Sequence, residues 1–552
     1  MNGAVSARAG PIAALTPRPQ SLRPGWAAFR PLLGLWIIGL ASLALQACQP
    51  RHPAGRLIVA TRSGSSFDSV DPLDITSFAG AQLLSAVGDP LYASDSKGRV
   101  LPRLATALPR LSADGRTATI PLRRDVRFHD GSRFDAAAML FSLERYRAKG
   151  KFGYLLAGRV EAMAASGPYE LVLRLKRPYS ALPALLSSVN LIPLSPVAYR
   201  DHARSSLRQR LVSTGPYRLT SFNPQQQTLE PFAGYWGPPP ANRGLHLVSL
   251  SNSTALYGAL VSGEIDVLLS DGLETDQLRS LQRRADRGEF VEGTGPSVEI
   301  GYLTLLADRP PLDNALLRRA VALSLDRRLI SERVSFGLRD PLRTLVPAPL
   351  PGSSTPIYPG YDPAGARVLF RQAGYCNGRR LALPLTFRSN VPADRLFALT
   401  WQAQLRRDLG DCVTLEISGV ESTTAYNQLD KGVFPMILLE WRPDYPDPDN
   451  YLVPLLGCDR ARGTVCLEGN SALSGSFWTA PGLEQQLEAT ETATGPARTQ
   501  LFEAIQRQAA AGASFLPLWR VPPRAWARPG LEVPRFDGSG RVLLQALRRS
   551  EP

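Results

Sequence analysis

Leu111-Ser-Ala-Asp-Gly-Arg-Thr-Ala-Thr-Ile-Pro-Leu-Arg-Arg-Asp-Val-Arg-Phe-His-Asp-Gly131 forms the centre of residues 101–145. That segment opens Leu101-Pro-Arg-Leu-Ala-Thr-Ala-Leu108 and closes Phe141-Ser-Leu-Glu-Arg145. Asp114-Gly115 lies between two apolar stretches and is a hairpin-turn signal, and Asp130-Gly131 is a second. Asp135 then presents an N-cap for an amphipathic helix over Ala136–Arg147. A hairpin followed by a helix occurs in many folds, so this pattern fixes local structure only.

Outward from this centre the chain alternates strands and helices. Arg56-Leu-Ile-Val-Ala-Thr61 reads as a strand, followed by the polar loop Arg62–Phe67. Gly263 ends a helix, and a strand begins over Ile265–Val267. In Leu316–Arg327, with Asp313 as the expected cap, Leu317, Ala320, Val321 and Leu325 fall on one helical face. Asp362 caps the clearest helix, with Pro363 at its first position. Its apolar residues Ala366, Leu369, Phe370 and Ala373 keep helical spacing, and Gly374 stops it. A strand over Leu381–Phe387 follows, then a helix near Ala393–Leu409 and strands over Val413–Ser418 and Pro435–Leu439. This alternation predicts an α/β fold with parallel pairing and right-handed crossovers.

The chain has 552 residues, enough for two or three domains. Its 44% hydrophobic and 20% charged residues are ordinary for a globular protein. The formal net charge is +15, and without residues 1–47 the balance is 59 basic to 48 acidic. The arginines are scattered, and no basic run interleaves with aromatics, so a nucleic-acid partner is not expected. Residues 1–30 carry Arg8, Arg18, Arg23 and Arg30, and an apolar run follows from Pro31 to Cys48. That is the pattern of a secretory signal peptide, or of an uncleaved anchor somewhat short of a full span of about 20 residues. Of the five cysteines, Cys48 ends this run and Cys376, Cys412, Cys458 and Cys466 remain, an even number that suits an oxidising compartment. No C-x-x-C and no ligand-spaced histidine cluster points to a metal. No G-x-S-x-G, H-E-x-x-H or P-loop points to an enzyme.

Residue identities across 101–145 carry a sharper message. So do Val70-Asp-Pro72, Asp89-Pro-Leu-Tyr92, Val212-Ser-Thr-Gly-Pro-Tyr-Arg-Leu219 and Tyr235-Trp-Gly237. Together they resemble the bacterial extracellular solute-binding proteins of family 5, which serve peptide- and nickel-class ABC importers. The resemblance implies a two-lobed periplasmic-binding-protein fold (type II, large cluster with an extra subdomain) with a hinge between the lobes. It implies a binding protein without cofactor or metal, monomeric, with a peptide or other small solute and an ABC permease as partners. Leu45-Gln46-Ala47-Cys48 resembles a bacterial lipobox, which implies lipidation of Cys48 and tethering to the membrane outside the cytoplasm. The implied organisation is a signal peptide 1–47, a tether 48–55, the first lobe over 56–92, 206–302 and 516–552, an inserted subdomain 93–205, and the second lobe 303–515. The chain would cross between lobes near Tyr302 and again near Phe515-Leu-Pro-Leu-Trp519.

Open α/β sheets bind ligands beyond the carboxyl ends of their strands. Arg388 follows the strand 381–387 and Asp444 the strand 435–439, which puts both on one rim. In the family, the Asp of Trp441-x-x-Asp444 pairs with a peptide's α-ammonium, the Trp lines the same pocket, and an Arg matched by Arg388 receives a dipeptide's carboxylate. Such a charge pair fits a zwitterion. Tyr302 and the Ser63–Phe67 loop, with Phe67, are further expected contributors. Dipeptide-binding members carry another Trp about nineteen residues before Trp441, where this chain has Ser422-Thr423. A longer peptide, or a solute that is not a dipeptide, is therefore implied; a sensory receptor of the same fold is the alternative to transport. If the strands after Cys376 and Cys412 are adjacent and parallel, both cysteines meet at the amino-terminal rim. Their disulfide would stabilise by roughly 3–4 kcal/mol in the chain-entropy model. Cys458–Cys466 would close a short loop, as a bridge does in the dipeptide-binding group.

Overall fold

A computed structural model describes residues 55–62, 69–199, 209–270 and 272–550. Cys48, the signal segment and Phe67 with its loop lie outside the described residues. The chain first lays down β1 (Leu57–Arg62), β2 (Tyr217–Asn223), β3 (Gln226–Pro231), β4 (Leu245–Leu250), β5 (Val267–Leu269) and β6 (Val291–Thr294). It then crosses to a second sheet with β7 (Glu299–Leu305), β8 (Asp340–Pro341), β9 (Leu381–Arg388), β10 (Val413–Val420), β11 (Met436–Trp441) and β12 (Phe515–Val521). It returns with β13 (Arg524–Ala527). The first sheet has the order β6-β13-β5-β1-β4-β3-β2, and the second β8-β12-β7-β11-β9-β10.

The two sheets organise two lobes. In the first, β1 runs parallel to β4 and β5. One large core covers one face and extends into the inserted subdomain, whose own sheet contains Thr117–Pro121, Val160–Gly167 and Glu170–Leu175. A smaller core around Leu256, Leu260, Leu281 and Trp526 covers the other face. In the second lobe β9 is parallel to β10 and β11, while β7 is antiparallel to β11 and β12. The passages between lobes are residues 295–298 and 522–523. Tyr302 and Phe515–Trp519, the expected crossings, instead lie inside β7 and β12, paired with each other in the second sheet. Both strands are buried along most of their length, so nothing in their apolar sequence marks an edge of a lobe.

Local chemistry accounts for the helices near the cleft. Ser77 caps α1 (Phe78–Val87) by accepting from Gly80 N–H, and Asp135 caps α2 (Ala136–Lys149) by accepting from Ala138 N–H. The cap of α3 (Ala315–Leu323) is Asn314, not Asp313: its Oδ1 accepts from Leu316 N–H at 2.9 Å. Asp362 caps α4 (Pro363–Gln372), which buries Ala366 and Phe370 and packs against α3. Helix α5 (Pro392–Leu409) returns the chain from β9 to β10 and buries Phe397 and Trp401; the Phe397 ring packs against that of Trp401 and edge-on against that of Trp519, each at 5.7 Å. Truncating one of these rings to Ala would cost about 3–5 kcal/mol. Helix α6 (Asp449–Leu456) follows β11.

Both expected disulfides are present. Leu381 and Val413 pair in parallel register, so Cys376 and Cys412 meet at the amino-terminal rim of the second sheet, away from the cleft. Cys458–Cys466 ties the short hairpin after α6. Among the described residues no helix is long and apolar enough to cross a membrane.

Candidate functional site

The carboxyl ends of the parallel strands of both sheets face one cleft between the lobes. A compartment of about 260 Å³ beside the crossing strands is lined by Arg62 at the end of β1, Leu269 and Ser270 at the end of β5, Asn390 after β9 and Glu440 in β11. A larger compartment of about 710 Å³ is lined from the first lobe by Phe78, Arg103, Phe152, Tyr154 and Asn190, and from the second by Trp441, Arg442, Asp444 and Tyr445. Phe78, Val298, Arg442 and Phe536 line both, so the two compartments are one continuous cleft.

Asp444 and Trp441 are brought together as their spacing implied. Asn450, buried in the first turn of α6, braces both residues. Its Oδ1 accepts from Asp444 N–H at 2.7 Å, and its carbonyl accepts from Trp441 Nε1–H at 2.7 Å. Asp444 is half-buried and makes no ion pair among the described residues. Burial pushes its carboxyl up to about 6, against a lowering hydrogen bond from Asn450. Across the cleft stand Tyr146 and Tyr154 of the inserted subdomain. Burial raises both phenols, and the Asp444 charge raises them further.

Arg388 is placed differently. It is 5% exposed and lines neither compartment. Its Nε and Nη2 donate to Asp394 at 2.8 and 3.0 Å, and Nη2 also donates to Glu440 at 2.9 Å. Arg339 Nη1 reaches the other Glu440 oxygen at 2.8 Å. Burial alone would raise the Glu440 carboxyl, but Arg388 and Arg339 outweigh it and hold it down at about 2. The guanidinium fork of Arg388 is thus engaged within its own lobe. Tyr302 is 3% exposed, with its ring 5.9 Å from that of Phe515 inside the second core, and it also lines neither compartment. The remaining cations of the larger compartment are partnered: Arg103 by Asp89 and Tyr235, Arg541 by Asp537, and Arg442 by Glu299. Arg442 also lies over the Phe78 ring of the first lobe, 4.7 Å from its centroid.

Sequence reasoning missed the first-lobe wall and Asn450. It also missed a polar seam between the lobes beside Asp444. The hydroxyls of Tyr179, from the first lobe, and Tyr445, from the second, both donate to Asp449 Oδ2, at 2.5 and 3.0 Å. Tyr445 itself packs in the first lobe's core. Arg159 pairs with Glu491, and Ser180 N–H donates to the Glu491 carbonyl at 2.7 Å. The run Asp444–Asn450 was legible as acidic and proline-rich; the partners of Tyr445 and Asp449 lie some 270 residues upstream and leave no local signal.

Chemically, the cleft offers at Asp444 a carboxylate that meets no cation among the described residues, walled by aromatic rings and enclosed by two lobes. Comparisons with known proteins bear on the fold and the family. The glutathione-binding protein GsiB of Escherichia coli strain K12 is 24% identical over 489 residues, covering 86% of this chain and 90% of the relative. That of Pectobacterium atrosepticum is 28% identical over 355 residues, covering 62% and 66%. Among solved structures, NikA from Brucella suis in complex with Fe(III)-EDTA superposes with a TM-score of 0.78 at 22% identity, over 90% of this chain and 100% of that one. The dipeptide binding protein from Pseudoalteromonas sp. SM9913 in complex with Met-Leu superposes with a TM-score of 0.72 at 22% identity, with the same coverage. These are two-lobed type II periplasmic binding proteins, and the fold is theirs. The family model described as "Bacterial extracellular solute-binding proteins, family 5 Middle" matches residues 99–463. The chain belongs to the bacterial extracellular solute-binding proteins of family 5, substrate-binding components of ABC importers and not enzymes.

Proposed function

We propose that this chain captures short peptides outside the cytoplasmic membrane and delivers them to an ABC permease, as a monomer tethered through lipid on Cys48. Asp444 accepts the peptide's α-ammonium, and Trp441 forms the wall beside it. The observation that carries this reading is the Asp444 carboxylate in the interlobe cleft, which makes no ion pair among the described residues. A half-buried carboxylate without a cation is costly by itself and favourable once an ammonium reaches it. Relatives named for glutathione and for a dipeptide bind ligands that carry such an ammonium. The chelate in the Brucella suis neighbour is anionic and has none. A negative group at Asp444 therefore favours peptide over chelate.

Native mass spectrometry of residues 49–552 tests this, since they include the whole compact unit 52–552. Purified without denaturation, the wild type is expected to carry a peptide mass that Asp444→Ala loses. A bound mass that is not a peptide, or one retained by Asp444→Ala, overturns the ligand assignment. Metabolic labelling with a fatty acid, lost in Cys48→Ala, tests the tether.

A further inference from the structure

The smaller compartment carries four guanidiniums: Arg62, Arg339, Arg442 and Arg524. Three have carboxylate partners, namely Glu440 for Arg339, Glu299 for Arg442 and Glu292 for Arg524. Arg62 makes no ion pair among the described residues. It is the last residue of β1, which is parallel to both of its neighbours, and so stands where such sheets present groups to a ligand. Its stem is held in place. A Cβ added at Gly272, which lines the same compartment, would come within 2.0 Å of Arg62 Cδ, so the side chain lies directly on the Gly272 backbone. Gly272 has φ +81°, in the region that favours glycine. Among the described residues, the cleft thus has an acceptor without an ion-pair partner in one compartment and a guanidinium without one in the other, joined past Phe78, Val298 and Arg442.

We infer that Arg62 receives the terminal carboxylate of the bound peptide, whose α-ammonium lies at Asp444, so that the ligand is a linear zwitterion spanning both compartments. This rests on the peptide reading above. Arg62 offers a bidentate fork with no carboxylate on it among the described residues, whereas Arg388 has closed its own on Asp394. The substrate class that follows is peptides with both termini free; acylation or amidation removes one anchor each.

Isothermal titration of residues 49–552 with di-, tri- and tetrapeptides tests the assignment. Each peptide is used free, N-acetylated and C-amidated, against the wild type, Arg62→Gln and Arg62→Lys. Circular dichroism checks that the variants fold. Wild type is expected to lose about tenfold in affinity on amidation of its best peptide. Arg62→Gln is expected to lose about tenfold with the free peptide and nothing further on amidation, with Arg62→Lys in between. If Arg62→Gln binds the free peptide as tightly as wild type, or still discriminates it tenfold from the amide, the Arg62 assignment is wrong. In that case a wild-type loss on N-acetylation leaves the Asp444 reading standing. If no free peptide binds the wild type, both fall together.

Discussion

Arg388 and Asp444 stand on the same rim of the second sheet, each just beyond or at the carboxyl end of a parallel strand, yet they have opposite surroundings. Arg388 is enclosed by Asp394 and Glu440, both from its own lobe. Asp444 has backbone bracing from Asn450 but no cation among the described residues. A charge with built-in partners is part of the scaffold. A charge held half-buried without one raises the energy of the empty protein and becomes favourable only when something arrives.

Five measurements break or sharpen that contrast. Arg388→Ala leaves two carboxylates buried against Arg339 alone and is expected to destabilise by about 3–5 kcal/mol in urea unfolding, with peptide affinity of the folded fraction little changed. Loss of binding without loss of stability would make Arg388 a ligand residue and erase the contrast. At the opposite rim, removing the Cys376–Cys412 disulfide by the double Ala variant should cost roughly 3–4 kcal/mol of stability and leave affinity intact. Asp444→Ala should weaken peptide binding by about 2–4 kcal/mol, some 30- to 1000-fold by calorimetry.

The smallest effects come from pH. The Asp444 carboxyl sits at about 6 in the fold, above its ordinary value of 3.8, so the folded state binds the extra proton. Stability is therefore lost as pH rises from about 4 to 6, and the cost persists above that. At pH 7.5 Asp444→Asn should relieve it, raising stability by about 1–2 kcal/mol after allowing for partial solvent screening, even as binding is lost. Peptide affinity of the wild type should fall about tenfold from pH 7.5 to pH 5, because protonation removes the acceptor. Asp444→Asn should show no such slope. A pH-independent wild type would place the ammonium elsewhere.

Much of the second lobe was legible before any coordinates. The Asp362 cap with Pro363 and the strand read over Leu381–Phe387 matched α4 and β9 within a residue or two. The consecutive strands around α5 predicted parallel pairing, hence the shared rim of Cys376 and Cys412. The rim position of Arg388 was legible too, but its partners were not. Asp394 lies in the first turn of α5 and Glu440 is 52 residues away, and no local pattern distinguishes a carboxylate that faces an arginine from one that faces water. The crossings were misplaced because β7 and β12 are apolar throughout, and a strand in a sheet's interior reads the same whichever lobe owns the sheet. Arg62 was quoted only as the start of a loop. Its significance depends on the neutralised arginines around it, which only the three-dimensional arrangement reveals.

Tyr445 adjoins Asp444 in the chain but is packed in the opposite lobe's core. Parting the lobes along this seam would therefore withdraw an aromatic ring into water and separate the Tyr179 hydroxyl from Asp449. The same backbone step carries Asp444 away from the subdomain tyrosines that face it. Release of any solute enclosed between the lobes would then carry the cost of wetting that ring, in addition to the loss of the solute's own contacts.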